Sequence, residues 1–581
     1  MLCTYSLQLY CKNLLRREGK VEEVHKKRPS FPVSIGFSLC TSWIIFCSLT
    51  MVWLVINGRV RYLVNDDTYI ALVTSGAYGK QYPYTLFTNI VLGYLLCFLY
   101  KTSPYHNWMT LISLGSILGG YVALGVFSFY KKRWRGIGVT FLLFAMTIVP
   151  LVNRLNFSYT GVLPFAAGAV GLTIFYSEGK IRFFFCILCD TLIIWGSVFR
   201  RETTVAMMPF LVLMACYCVA KRDKGELRRQ EVTKWAIPIL GIFMLLLADY
   251  GVYRFNSEWN AYREYTASRS NLFDYGIPDY ENHAEEYQKI GLNRNDVEVL
   301  KRYICADHSL CNTETMNAIC EFRDAERKTQ IEWKHISDNL QELVHWISVP
   351  ITIIFMICML IKNDNPRERR LLICGVSVFL IEVVYLCCKG RVIERAVLPE
   401  CICLYVLAVP CLNGHSEKRK CTMFYIMIYS IGLIYAMISS VQELLPHNES
   451  NKISTDTFLK NLSDRVGELY TWDIVPQVDV LFYSYSPFDY VEPDALSNSV
   501  SMGGWPAQSP IVTEQAKEYG DPYNLVKTLY ENPNVYFIDY AERDEQVLVQ
   551  YIKDHYDSNV ICEEVEQIEW YGVYSFHPMD P

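Results

Sequence analysis

The sequence predicts a polytopic α-helical membrane protein of about 11 transmembrane helices, with interfacial helices and a C-terminal extracytoplasmic α/β domain. Three observations predict it. Of the 581 residues, 51% are apolar and only 20% charged, and a mean hydropathy of +0.13 is too oily for a soluble chain of this size. Windows long enough to cross about 30 Å of hydrocarbon begin near residues 35, 107, 136, 155, 181, 203, 235, 344, 371, 396 and 421. Beyond about 441 such windows stop, and short strand-like and helix-like stretches alternate. A net charge of -6 carries no basic excess, which excludes nucleic acid as a partner. The 21 cysteines lie mostly in apolar runs, where they act as small hydrophobes, and no zinc or disulfide framework reads from their spacing.

Residues 1–34 form a basic tail (Lys12, Arg16, Arg17, Lys20, Lys26, Lys27, Arg28), and the span that follows, 35–57, reads as an uncleaved anchor. The stretch 86–100 decides the sidedness. Its 15 residues reach only about 22 Å, short of the hydrocarbon thickness. Without a crossing there, the tail and the loops at 131–135, 180–182, 221–234, 362–370 and 418–420 place 26 basic residues on the cytoplasmic side; a crossing would send 19 of them outside. The stretch therefore reads as a helix in the outer interface, with Tyr82, Tyr84, Tyr94 and Tyr100 at headgroup level. The expected product is a multi-pass cell-membrane protein with a cytoplasmic N-terminus. Its membrane domain, 35–440, carries an outer loop at 58–106 and an outer insertion at 256–345, and the extracytoplasmic domain is 441–581.

The insertion is polar and aromatic, with Trp259, Tyr262, Tyr265, Tyr275, Tyr280 and Tyr287 in its first third, and reads as a packed cap. Cys305, Cys311 and Cys320 fall there in odd number, compatible with one disulfide or with three free thiols. In the C-terminal part, 478–484, 534–540 and 572–577 are strand-like, and 523–531 and 542–556 helix-like. The turn Gly503-Gly504-Trp505-Pro506 presents either a sugar-stacking platform or the plug of a loop. No phosphate-binding glycine loop, HExxH or serine elbow occurs.

Candidate chemistry begins just outside the first span, at Asn65-Asp66-Asp67-Thr68. With Asn65 as N-cap, both aspartates fall in the first helical turn, where the dipole stabilises each anion by about 0.3–1 kcal/mol. Adjacent residues point about 100° apart, so only one can face a given cavity. Six cations sit on three outer connections, against the inside-positive trend: Arg154, Arg200 with Arg201, and Lys389 with Arg391 and Arg395. Either they converge on an anion such as a lipid phosphate, or each snorkels separately to the interface. His106, Asn107 and Trp108 read as interface anchors, and Asp190, Asp249 and Glu382 as scarce intramembrane charges.

This layout resembles the GT-C superfamily of polytopic glycosyltransferases, in particular its aminoarabinose transferase and protein O-mannosyltransferase branches. The matching stretch is some forty residues long: Asp66-Asp67, then Ser75-Gly76-Ala77-Tyr78 and Gln81-Tyr82-Pro83, then the helix at 86–100. Asp67 stands where the family commonly has Glu, and Tyr82-Pro83-Tyr84 replaces a basic-Pro-Pro element. The resemblance implies transfer of a sugar from a polyprenyl-phosphate carrier to a cell-envelope glycan, lipid or protein acceptor on the outer face. Asp66 would take the acceptor proton, Asp67 would assist or hold the helix start, and Arg154, Arg200, Arg201, Lys389, Arg391 and Arg395 would bind the donor phosphate. Some relatives place a divalent cation beside the acidic motif, here at Asp66 and Asp67. A polysaccharide polymerase or ligase, a lipid or solute transporter, and a membrane scaffold are the competing readings.

Overall fold

The computed structural model describes residues 33–174, 180–222, 225–329, 333–346, 348–412, 449–541, 543, 545–568 and 570–579. The basic tail, the 418–420 loop and the window near 421 lie outside the described residues. Among those described, seven helices are long and apolar enough to cross a membrane: Ser38–Ile56, Trp108–Tyr130, Arg135–Asn153, Phe157–Ile174, Arg201–Ala220, Glu226–Phe255 and Pro366–Cys388. A bent pair, Asn339–His345 with Ser348–Lys362, makes an eighth if counted as one span. The windows expected near 181 and 396 appear as shorter helices, Phe183–Ser197 and Glu394–Leu407. This is a membrane protein by its helices.

The second and third spans fold back on each other. The Tyr121 and Thr147 hydroxyls meet at 2.5 Å, and the Tyr121 and Phe144 rings pack edge to face at 4.8 Å. Glycines let the next helices approach more closely. A Cβ at Gly161 would sit 2.0 Å from the Gly196 carbonyl oxygen, and one at Gly196 would sit 2.4 Å from that of Gly161. Small residues that bring backbones together are the usual basis of helix association in lipid.

The 86–100 stretch forms the helix Ile90–Thr102, its N-cap Asn89 accepting from the Val91 N–H at 3.1 Å. Thirteen residues reach about 20 Å, short of a crossing. One face buries Leu92, Leu96 and Tyr100, while Val91, Tyr94 and Phe98 stay exposed.

After the sixth of these spans come the insertion helices Ser257–Tyr275, Ala284–Lys289, Arg294–Lys301 and Thr313–Thr329. The C-terminal part is built on a five-stranded sheet of order β2-β1-β3-β5-β4. The strands are β1 Leu469–Trp472, β2 Ser499–Ser501, β3 Val535–Tyr540, β4 Val560–Ile568 and β5 Tyr571–Pro578. β1, β2 and β3 run parallel, and β5 and β4 close the sheet antiparallel. The segment expected as a strand at 478–484 is helical instead. Asp473 caps a turn at Ile474–Val478 by accepting from Val475, and Asp479–Tyr483 continues it. β4 went unread because it is an edge strand whose exposed positions carry Glu563 and Glu564, charges that guard an open edge. One hydrophobic cluster fills the membrane bundle, and a second joins the insertion to the sheet and to the helix Asp66–Ser75.

Gly161→Val is expected to lower the detergent thermal midpoint by several degrees, since overpacking costs about 1–3 kcal/mol. Gly115→Ala, where a Cβ meets nothing within 4 Å, is expected to shift it by less than about one degree.

Candidate functional site

The acidic pair opens the helix Asp66–Ser75 and the two side chains diverge. Asn65 precedes it in a helical conformation (φ -64°, ψ -18°) and makes no capping bond, contrary to expectation, because a side chain caps from the extended region. Gly76, left-handed at φ 96°, ends the helix.

Asp67 is fully buried. Its Oδ1 accepts from the Phe157 N–H at 2.9 Å and its Oδ2 from Asn156 Nδ2 at 2.8 Å. Phe157 starts the short helix Phe157–Thr160, so the carboxylate fills a helix start with its free N–H groups. Burial pushes this carboxyl well above the usual range, and the Phe157 bond pulls it partly back.

Asp66 turns the other way. A fifth of its side chain is exposed, and Arg395 Nη1 lies 3.6 Å from Oδ2. Burial raises its carboxyl above the ordinary range, opposed first by Arg395, then by Arg200 and Arg269, while Asp274 adds to the rise. Arg395 begins the helix Glu394–Leu407. Arg200 precedes Arg201–Ala220; it donates to Ser158 Oγ, pairs with Glu202 at 3.3 Å and lies over the Phe157 ring at 5.2 Å. Arg391 pairs with Asp274 from the insertion. The group is half-open to solvent, with Arg200, Arg391 and Arg395 between 18% and 29% exposed.

Of the expected cations, Arg200, Arg391 and Arg395 thus share one neighbourhood with Asp66. Arg154 instead pairs with Glu394 at 2.6 Å, which ties the end of the third span to the residue before Arg395. Arg201 pairs with Glu202 at 2.8 Å, and Lys389 is exposed over the Tyr385 ring at 6.0 Å.

Two members of the group went unread in the sequence, Arg269 and Asp274, both on the insertion helix Ser257–Tyr275. Arg269 is buried, and its Nε has no hydrogen-bond partner among the described residues. Buried Arg323 fixes the end of that helix by donating to the carbonyls of Asn271, Leu272 and Gly276. No local pattern distinguishes these two charges from the solvated ones around them.

The acidic pair does not fit a shared divalent cation. Both Asp67 oxygens accept from nitrogen donors, and Asp66 faces guanidinium groups. No group of three His, Cys, Asp or Glu side chains suited to a metal occurs among the described residues. Trp505 is the plug of its loop and no platform: it is buried edge-on against Tyr69 and Phe87, each at 5.5 Å. A cavity of about 30 Å³, room for one or two waters, lies on the face of the acidic helix opposite Asp66. It is lined by Tyr62, Thr68, Ser75, Tyr485 and Asp489.

No family model matches the chain, and no curated protein matches it. Two solved structures are similar over most of its length, both of ArnT from Cupriavidus metallidurans. The one bound to undecaprenyl phosphate has a TM-score of 0.37 and 11% identity, over 92% of this chain and 98% of that one. The apo state has a TM-score of 0.42 and 10% identity over the same shares. The functional reading below rests on the site geometry.

Asp67→Ala is expected to destabilise the protein by about 2–4 kcal/mol, because it strands two buried donors. Asp66→Asn is expected to cost under about 1 kcal/mol. Thermal unfolding of the two purified variants checks the contrast.

Proposed function

We propose that the chain is a GT-C-type membrane glycosyltransferase. It moves a sugar from a polyprenyl-phosphate carrier to the hydroxyl of a glycan, lipid or protein acceptor at the outer face. The observation that carries this reading is the setting of Asp66: a half-open carboxylate, just past the first span, faced by Arg395, Arg200 and Arg269.

The chemistry follows from that setting. The acceptor oxygen attacks the anomeric carbon, the bond from that carbon to the phosphate oxygen breaks, and the phosphate leaves with the electron pair. Asp66 takes the acceptor proton. A lipid phosphate met by guanidinium groups leaves without a general acid, so the two-carboxylate arrangement of glycosidases is not required. Asp67 has both oxygens engaged and acts as a positioning residue. A single displacement inverts the anomeric centre.

Arg200, Arg391, Arg395 and Arg269 bind the donor phosphate in this reading. Arg154, paired with Glu394, supports the turn that carries Arg395; Arg201 and Lys389 lie at its rim. Asp274 holds Arg391 until an anion arrives, which links donor binding to the insertion. In this assignment 35–440 is the membrane domain with its N-terminus cytoplasmic. The insertion at 256–345 and the unit at 441–581 lie outside and close over the site.

Membranes from overexpressing cells, incubated with radiolabelled polyprenyl-phosphate sugars, are expected to transfer label to glycan, lipid or protein. Asp66→Asn is expected to reduce the rate by at least about 100-fold; wild-type transfer by that variant would remove the base from the scheme. Because the Asp66 carboxyl is raised and works only when deprotonated, activity is expected to be lost as pH falls through that raised value. Arg395→Gln removes the strongest opposing charge and is expected to move this acid limb to higher pH, read from kcat/KM against pH. Asp274→Asn frees Arg391 and is expected to lower the donor KM several-fold.

A further inference from the structure

The insertion meets the C-terminal sheet along a seam whose central segment, 304–311, carries two of the three insertion cysteines. Ile304 bridges Gly503 and Asp307 bridges Asn524. The Cys305 N–H donates to the Met502 carbonyl at 2.7 Å, and the Leu525 N–H to that of Ala306 at 2.9 Å. One side chain from the far side gathers this segment. Gln508 Nε2 donates to the Cys305 carbonyl at 2.7 Å and to the Cys311 carbonyl at 3.0 Å, holding a left-handed φ of 57° as it does so.

The two cysteine backbones are therefore drawn to one nitrogen, and the side chains follow. The Cys305 thiol neighbours that of Cys311, and Tyr265 Oη donates to Cys311 Sγ at 3.6 Å. Met316 Sδ lies 3.7 Å from the same sulfur. Both thiols are buried in the seam and are free thiols in the structure. Cys320, the third, is buried on the helix Thr313–Thr329.

We propose that Cys305 and Cys311 form a disulfide that closes the insertion's own loop 305–311 in the shape that the C-terminal unit grips. The proposal rests on the outward orientation given above, since a bond of this kind persists in an oxidising compartment. Each thiol gives up its proton, the pair gives up two electrons, and the S–S bond forms. The oxidant is a disulfide-bearing thiol oxidoreductase of the outer compartment, whose own S–S bond is reduced to two thiols by those electrons and protons. The exchange occurs during folding, before the seam closes over the sulfurs. The closed loop matters to the proposed activity because the seam it shapes seats Trp505 against Tyr69 of the acidic helix, while Tyr262 Oη donates to the Trp505 carbonyl.

Trypsin releases all three cysteines in one peptide, 303–323. Membranes trapped with iodoacetamide under denaturing, non-reducing conditions are expected to yield that peptide about 2 Da lighter than the fully reduced form, alkylated once, at Cys320. In the Cys320→Ser variant the same loss is expected with no alkylation. Three alkylated cysteines, or a bond that includes Cys320, overturn the proposal. Arg294, 73% exposed on the insertion, separates this failure from a wrong orientation. Labelling of Arg294→Cys in intact cells by a membrane-impermeant maleimide, against the wild type, shows the insertion outside. Three free thiols then refute the disulfide alone; an unlabelled Arg294→Cys with three free thiols refutes both.

Discussion

The site depends on a single buried contact, the Asp67 carboxylate against the Asn156 side chain and the Phe157 N–H. A carboxylate taken out of water needs partners for both oxygens, and a helix start is one of few places that offers them. This contact joins the acidic helix to the entry of the fourth span. It also decides where Asp66 points, because neighbours on a helix are set about 100° apart. Once Asp67 is anchored inward, Asp66 must face the surface where Arg395 and Arg200 gather. Arg200 is held to the same short helix through Ser158, so Asp66 and Arg200 are registered to one structural element.

The charge balance of the group is informative. Arg200, Arg269, Arg391 and Arg395 face Asp66, Asp274 and the Glu202 paired with Arg200, leaving a surplus of one positive charge in a half-buried setting. Such a surplus is costly unless an anion completes it. A sugar phosphodiester brings one negative charge and the released lipid phosphate up to two. In the proposed scheme the single charge of the bound donor matches that surplus. Arg269 is the member with a donor to spare, since its Nε is buried without a hydrogen-bond partner among the described residues.

Much of this was legible in the sequence, and what was missed has physical causes. Membrane spans announce themselves because hydrocarbon tolerates few alternatives to a long apolar helix, and the 86–100 stretch was excluded from them by length. The acidic pair stood out because carboxylates at an anionic interface require a reason, and the divergence of its two members follows from helix geometry alone. Arg200, Arg391 and Arg395 were flagged by their side of the membrane, whereas Arg154, Arg201 and Lys389 carry the same flag and are engaged elsewhere. Sidedness locates a cation along the membrane normal and says nothing of its lateral neighbours. Arg269 and Asp274 could not be read at all, because long-range packing of the insertion, fixed by Arg323, brings them to the site. The helical turn at 478–484 was misread for a related reason: its apolar residues suit a strand, and the Asp473 cap decided otherwise.

The acidic helix is gripped from two sides, and this argues for mechanical coupling between the C-terminal unit and Asp66. On the membrane side Asp67 and the cluster of Ile70 with Leu92, Leu96 and Phe157 hold it. On the side of the C-terminal unit Tyr69 Oη donates to Gln477 at 2.8 Å, and the N–H groups of Asp494 and Leu496 donate to the Gly76 and Ala77 carbonyls at 3.1 and 2.8 Å. The C-terminal unit thus bonds directly to the end of the helix whose start carries Asp66. In the proposed scheme a shift of that unit on acceptor binding would be passed to Asp66 through a helix of only ten residues. In this fold the parts that would choose the acceptor and the group that would deprotonate it share one rigid element, so recognition and proton transfer are set by the same contacts.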